Sequence, residues 1–249
     1  MVSPLGADRS KTGEFSIENM DTCNIQRPIF GISRHRMGID GKGITTLVAF
    51  MGCPLKCEYC LNDRCHAPLY ESDGKSLRRG IEMLSPKELY KIVEIDNIYF
   101  QATGGGICFG GGEPTMNADF IIEFAKLCPK NWKLTIETSL RCSYETIESL
   151  SAYIDAWIVD VKDMNNSIYE NYTKVQSNIT EQLQNLKKFV HLDRITIKVP
   201  LIPNFNTKAD VDSSIGVLKK MGFENIVQIT YKEKENPNNS NTRVQYEKR

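Results

Sequence analysis

Residues 44–60 read ITTLVAFMGCPLKCEYC, an apolar run that leads directly into three closely spaced cysteines. The run Ile44–Met51 is rich in β-branched and aliphatic residues and ends before a glycine, which predicts a buried β-strand. Cys53, Cys57 and Cys60 follow in the pattern C-x3-C-x2-C. Three thiols on one short loop after a buried strand indicate a metal or iron–sulfur site.

Further runs of the same kind follow along the chain, each bounded by turn-forming residues. They are Gly106–Phe109, Lys133–Glu137, Ala156–Val161, Arg194–Val199 and Asn225–Thr230. Helical patterns lie between them, and the clearest begins with the capping box of Ser85 and Glu88 and runs to about Val93. Further helices are expected from Asn117 and near Tyr144–Tyr153, Ile179–Phe189 and Val211–Met221.

Strands that alternate with helices predict a parallel sheet with crossover connections. Six such units are two short of a closed eight-stranded barrel. The prediction is therefore an α/β fold built as a partial, TIM-like (β/α)6 barrel of parallel strands. In such folds the functional residues lie at the carboxyl ends of the strands.

Composition and length limit the possible classes of protein. The 249 residues, 41% of them apolar, fit one large domain. We expect this domain at 25–231, between a flexible lead-in (1–24) and a charged, disordered tail (232–249). Lys plus Arg and Asp plus Glu are both 31, so no basic field attracts nucleic acid. We find neither an 18-residue apolar run nor a signal-peptide core, and therefore expect a cytoplasmic protein that does not cross a membrane.

Chemistry-bearing residues follow the predicted strands, as the barrel prediction requires. In chain order they are Cys53, Gly110–Glu113, Thr138, Asp160 with Lys162, Lys198 and Tyr231. Three thiolates on one loop can ligate three irons of a cubane and leave the fourth iron open. The alternative is a zinc site with Cys65 or His66 as a further ligand, although zinc motifs more often contain two separated cysteine pairs.

The motif C-x3-C-x2-C at the end of a first strand resembles the signature of the radical S-adenosylmethionine (SAM) superfamily. The sequence MGIDGKGITTLVAFMGC at 37–53, Leu61-Asn62 after the third cysteine and Gly111-Gly112-Glu113 after the second strand are similar to the pyruvate formate-lyase activating enzyme and related glycyl-radical activases. This likeness covers about Gly38 to Tyr231.

The resemblance implies that Cys53, Cys57 and Cys60 hold a [4Fe–4S] cluster and that SAM binds at its open iron. The residues that it implies around SAM are Asn62, Gly111, Gly112, Glu113, Glu137, Thr138, Asp160, Lys162 and Lys198. Asp160 would orient the ribose or help bind a cation, and Lys162 would reach the SAM carboxylate. Residues 137–140 read ETSL where activases usually have Asp-Thr-Asn-Gly, and Lys198 and Lys232 stand where activases often have Arg and His.

The implied activity is that of an oxidoreductase working in anaerobic conditions. Reductive cleavage of SAM would give a 5′-deoxyadenosyl radical that abstracts hydrogen from a glycine of a partner glycyl-radical enzyme. A flavodoxin or ferredoxin would supply the electron, and the chain is expected to be a monomer. Two alternatives remain: radical SAM modification of another peptide or small molecule, and a non-catalytic zinc-binding interaction module.

Overall fold

The computed structural model describes residues 25–38 and 40–231, which form one eight-stranded sheet with helices. The expected lead-in (1–24) and tail (232–249) lie outside the described residues. The strands are β1 Arg27–Met37, β2 Ile44–Phe50, β3 Glu82–Leu84, β4 Gly106–Gly111, β5 Lys133–Thr138, β6 Ala156–Asp160, β7 Ile195–Leu201 and β8 Ile226–Thr230.

All six predicted strands are present, and they pair in parallel in the order β2, β4, β5, β6, β7, β8. The complete sheet order places β3 at one end and β8 at the other, with no pairing between them in the described part of the chain. The predicted α/β fold with an open, parallel sheet is therefore confirmed. Helices cross between the parallel strands, as parallel pairing requires.

Two antiparallel strands were missed by the sequence interpretation. β1 pairs antiparallel with β2, and the three-residue β3 pairs with β1 at the edge of the sheet. β1 contains register shifts between Ile29 and Gly31 and between Ser33 and Arg36, and several of its side chains are exposed. Its apolar residues therefore lack the regular period that identifies a strand in a sequence.

The helices are α1 Pro86–Val93, α2 Asn97–Thr103, α3 Ala118–Leu127, α4 Tyr144–Ser151, α5 Asn166–Thr173, α6 Ile179–Phe189 and α7 Lys208–Lys220. The capping box before α1 is confirmed, since Ser85 and Glu88 exchange both bonds. Asn117 precedes α3 as expected, but its side chain makes no cap bond. α7 begins earlier than predicted because Thr207 and Asp210 form a second capping box. Among the described residues, no helix combines the length and apolar character needed to cross a bilayer.

The main core lies between the parallel strands and the helices. Its fully buried strand residues alternate along each strand and are Val48, Phe50, Ile107, Phe109, Leu134, Ile136, Trp157, Val159, Ile197 and Val199. Phe120 and Phe124 of α3 are among the helix residues that pack against them. Because successive strand side chains point to opposite faces, Cys108, Glu137 and Lys198 lie on the other face, here called the inner face.

The loop between β1 and β2 lies against this inner face at β4 and β5. Asp40 is buried, with its carboxylate in a group that contains Cys108 and Glu137. A Cβ built on Gly41 would lie 3.2 Å from the Thr135 hydroxyl. The loop therefore covers this part of the inner face.

The turn after β5 has an unusual backbone conformation at Leu140, whose φ is 58°. The Leu140 amide donates to the Thr138 hydroxyl at 2.8 Å, and the leucine side chain is fully buried in the core. The left-handed conformation costs a non-glycine residue about 1–2 kcal/mol. Burial of a leucine side chain contributes about 1.5–3 kcal/mol, which offsets this strain.

Replacement of Leu140 separates these two effects. We expect Leu140→Ala to lower the free energy of unfolding by about 2–5 kcal/mol, because it removes buried methyl groups and keeps the strained backbone. Leu140→Gly should be at least as stable as Leu140→Ala, because glycine adopts positive φ without that cost. Urea denaturation of the two variants measures the difference.

Leu150 in α4 provides the matched control, because it is equally buried but lies in a helix. There Leu150→Gly should be less stable than Leu150→Ala by about 1 kcal/mol. If Leu140→Gly were also less stable than Leu140→Ala, the strain assigned to Leu140 would be contradicted.

Candidate active site

The cysteine loop begins where β2 ends, and backbone hydrogen bonds tie it to the end of α5. The Lys56 amide donates to the Thr173 carbonyl at 2.9 Å, and the Glu58 amide donates to the Tyr172 carbonyl at 3.2 Å. These bonds fix the middle of the loop against the end of α5. The loop geometry is therefore set by backbone contacts as well as by any bound group.

Cys53, Cys57 and Cys60 all lie on this loop, and each is partly buried. Burial raises the pKa of Cys53 to about 12, with smaller contributions from the charges of Glu113, Cys57 and Cys60. Burial also raises the pKa of Cys57, against the positive charge of Lys162. Because both burial and mutual repulsion oppose ionisation, all three sulfurs become thiolates together only when a bound cation compensates their charge.

Cys65 and His66, the ambiguous pair of the sequence analysis, lie beside Cys60. One ligand atom from each of Cys60, Cys65 and His66 falls within 4.8 Å of the others. Cys65 is buried and His66 is exposed. A hydrogen bond from the Cys65 thiol lowers the pKa of Cys60 to about 6. The alternative zinc site therefore has a geometric basis, although it would include only one of the three motif cysteines.

The glycine-rich end of β4 packs directly on the cysteine loop. The Gly112 amide donates to the Phe50 carbonyl at 2.9 Å, and the Glu113 amide donates to the Gly52 carbonyl at 2.8 Å. A Cβ on Gly112 would lie 2.0 Å from the Gly52 oxygen, and Gly111 has a φ of 90°. Glycine is therefore required here for backbone contact within the protein.

The Glu113 carboxylate is buried and holds together the ends of β4 and β5. It accepts hydrogen bonds from the hydroxyls of Thr115 at 2.7 Å, Thr138 at 2.6 Å and Ser139 at 2.6 Å. It also accepts from the Ser139 amide at 2.9 Å. The predicted residues Glu113 and Thr138 are thus brought into contact, and their side chains bind each other.

Asp160, which is partly buried, forms an ion pair with the buried Lys162 at the end of β6. The Lys162 ammonium also donates to the Tyr231 hydroxyl at 3.0 Å. Burial acts to lower the pKa of Lys162, but the charges of Asp160, Tyr231 and Cys57 outweigh it and raise that pKa well above its usual value. The lysine is therefore cationic.

The second carboxylate oxygen of Asp160, Oδ1, is buried and has no hydrogen-bond partner in the described part of the chain. A buried carboxylate oxygen without a donor is costly, so this atom offers an acceptor to a hydroxyl group or a cation of a ligand. Tyr231 completes the group, although the sequence analysis noted it only as a residue at a strand end.

Glu137 and Lys198 form an ion pair on the inner face, with 2.5 Å between Oε1 and Nζ. The carboxylates of Asp40 and Glu137 and the Cys108 thiol form a second group with metal-ligand geometry. Arg36 pairs with Asp40 and Lys198 pairs with Glu137, so this group is charge-balanced without a metal. Arg36 and Asp40 were not among the expected site residues because they precede the first predicted strand, although Asp40 lies in the stretch 37–53 that resembles the activases.

Asn62 lies at the start of the short 3-10 turn Asp63–His66 and is exposed. Its carbonyl accepts a hydrogen bond from the Cys65 amide at 2.8 Å. Its side chain makes no cap bond within this turn. The structure therefore brings Asn62 next to Cys60 without using its amide group in the turn.

The chain is similar in sequence to known activating enzymes. The choline trimethylamine-lyase activating enzyme of Oleidesulfovibrio alaskensis is 25% identical over 237 residues, which cover 73% of this chain and 74% of that protein. The pyruvate formate-lyase 2-activating enzyme of Escherichia coli is 26% identical over 229 residues, covering 80% of this chain and 75% of the relative.

Among solved structures, SuiB of Streptococcus suis bound to S-adenosylmethionine matches with a TM-score of 0.54 and 16% identity. The match covers 74% of this chain but only 40% of SuiB, so it concerns the fold alone. A model of the radical SAM superfamily matches residues 47–232, which include the cysteine loop and all six parallel strands except the first three residues of β2. By this match, the chain belongs to the radical SAM superfamily.

Proposed function

We propose that this chain activates a glycyl-radical enzyme, with Cys53, Cys57 and Cys60 as the ligands of its [4Fe–4S] cluster. Membership of the superfamily makes the chain an enzyme whose cofactors are a [4Fe–4S] cluster and SAM. The observation that carries the site assignment is that one loop, bonded to the glycine-rich end of β4, holds three partly buried thiols close enough for the charges of Cys57 and Cys60 to act on Cys53. Three ligands on one loop suit a cubane with an open iron.

When bound, the cluster and SAM together supply a 5′-deoxyadenosyl radical that removes a hydrogen atom from the substrate. The chain's own residues bind and orient these groups. The backbone at Gly111 and Gly112 and the exposed Asn62 amide are the proposed contacts nearest the cysteine loop. Asp160 offers its free Oδ1 atom to a hydroxyl or a cation, and Lys162 supplies positive charge for the SAM carboxylate.

Glu113, Thr138, Glu137 and Lys198 act in this proposal mainly by positioning. Glu113 and Thr138 bind each other and fix the ends of β4 and β5. The Glu137–Lys198 ion pair determines the charge of the inner face next to Asp160. Lys198 is in register with Asp160 on the neighbouring strand. A fixed arrangement of this kind orients a ligand without reorganisation during the reaction.

The choice of substrate is supported by the curated relatives, which are named as activating enzymes of choline trimethylamine-lyase and pyruvate formate-lyase 2. We propose a glycine of such a partner as the site of hydrogen abstraction, and a flavodoxin or ferredoxin as the electron donor. The chain would act as a monomer in the cytoplasm under anaerobic conditions.

Metal analysis tests the cluster ligands. After anaerobic reconstitution we expect about four irons and four sulfides per chain. Cys57→Ala should abolish the formation of 5′-deoxyadenosine from SAM, because a cubane ligand is removed. Cys128→Ala is the control, since this buried thiol lies at the end of α3 and contacts the Phe124 carbonyl.

One zinc per chain without labile sulfide would contradict the cluster and favour the zinc-binding module. Continued 5′-deoxyadenosine formation by Cys57→Ala would contradict the ligand role of Cys57.

SAM binding tests Asp160. We expect Asp160→Asn to raise the dissociation constant for SAM about tenfold. The substitution replaces one carboxylate oxygen by an amide nitrogen and removes the negative charge, so the ligand loses a charged acceptor. Equilibrium dialysis with labelled SAM measures this on cluster-loaded protein. Asp212→Asn, at an exposed helix position, should leave SAM binding unchanged. An unchanged dissociation constant for Asp160→Asn at full iron content would remove Asp160 from the site.

Electron paramagnetic resonance tests the substrate. With reductant, SAM and a glycyl-radical enzyme encoded beside this gene, the loaded enzyme should generate a glycyl radical on the partner. Replacement of the partner's target glycine by alanine should abolish the signal. SAM cleavage that yields no glycyl radical but modifies another peptide or small molecule would favour the alternative radical SAM function.

A further inference from the structure

The Cys65 side chain is held rigidly beside the cysteine loop. Its exposed fraction is only 3%. Its amide donates to the Asn62 carbonyl at 2.8 Å, and its carbonyl accepts from the Gly52 amide at 2.9 Å. Because Gly52 directly precedes Cys53, these bonds connect the two ends of the three-cysteine loop. They involve only the backbone, so a change of the Cys65 side chain preserves them.

The Cys65 sulfur faces one motif cysteine. Its Sγ lies within 4.8 Å of the Cys60 Sγ. As a cluster ligand Cys60 would be a thiolate, whereas a buried cysteine that binds no metal keeps its proton. A protonated thiol beside a thiolate is a hydrogen-bond donor to it.

We infer that Cys65 is a positioning residue that donates a hydrogen bond to the Cys60 sulfur and thereby makes the bound cluster easier to reduce. This inference rests on the proposal that Cys60 holds the cluster. Reduction adds one negative charge, and a donor to a ligand sulfur stabilises that charge more in the reduced form than in the oxidised form. The buried position of Cys65 strengthens this effect, because water does not compete for the Cys60 sulfur at this side.

A ligand role for Cys65 fits less well with the same observations. A fourth protein thiolate would close the site, whereas a site built for SAM keeps one iron open. The Cys65 thiol therefore modifies one ligand and leaves the ligand count at three.

The midpoint potential of the cluster tests the inference. The wild type, Cys65→Ala and Cys65→Ser are reconstituted anaerobically and titrated with dithionite, with the reduced cluster followed by electron paramagnetic resonance. We expect Cys65→Ala to lower the equilibrium constant for one-electron reduction about tenfold, a shift of about 59 mV to more negative potential. Cys65→Ser keeps a donor and should fall between the alanine variant and the wild type.

Cys128→Ala is the matched control, because it removes another buried thiol that lies outside the cysteine loop. The midpoint potential of its cluster should equal that of the wild type. The inference would be overturned if the equilibrium constant for one-electron reduction of Cys65→Ala, measured at full iron content, lay within twofold of the wild-type value.

Loss of iron from both Cys65 variants, with wild-type far-ultraviolet circular dichroism, would also overturn it, because Cys65 would then be needed to hold the cluster. Iron and sulfide missing from the wild type itself would instead refute the proposed function.

Discussion

Two backbone hydrogen bonds beyond the ends of β2 and β4, from Gly112 to Phe50 and from Glu113 to Gly52, join the cysteine loop to the glycine-rich strand end. They continue the parallel ladder that pairs Phe50 with Gly111 past the point where both strands end. The contact is possible only because Gly111 and Gly112 have no side chains, since a Cβ at either position would lie less than 3.0 Å from Ala49 or Gly52. The arrangement of the thiols, and the carboxylate of Glu113 that ties in β5, both follow from this junction.

The two faces of the sheet solve different physical problems. The helix side is filled with aromatic and aliphatic residues and supplies most of the hydrophobic free energy. The inner face contains the ion pairs Asp160–Lys162 and Glu137–Lys198. Buried ion pairs contribute little net stability, because desolvation cancels much of their attraction. Such groups on an otherwise stable sheet are consistent with a face organised for binding charged ligands.

The sequence predicted the parallel strands, their order along the chain and the alignment of polar residues at their carboxyl ends, because buried strands leave short apolar runs bounded by glycine or polar residues. It did not predict β1, whose exposed residues and register shifts hide the period. Tyr231 and Lys162 are brought together across the sheet, and Cys65 meets Cys60 through a turn, so neither contact leaves a local pattern. The left-handed Leu140 was also hidden, since its strain is offset by burial in a core that the sequence does not locate.

The loop carrying Asp40 and Gly41 lies against β4 and β5 on the inner face, near Cys108, Thr135 and Glu137. The cysteine loop, in contrast, follows the carboxyl end of β2. For the partner glycine proposed above, the carboxyl ends of the strands would then be the side of approach. On that proposal, a glycine buried in its own fold would have to be released before the reaction, and the opening of the partner would become part of the kinetics of activation.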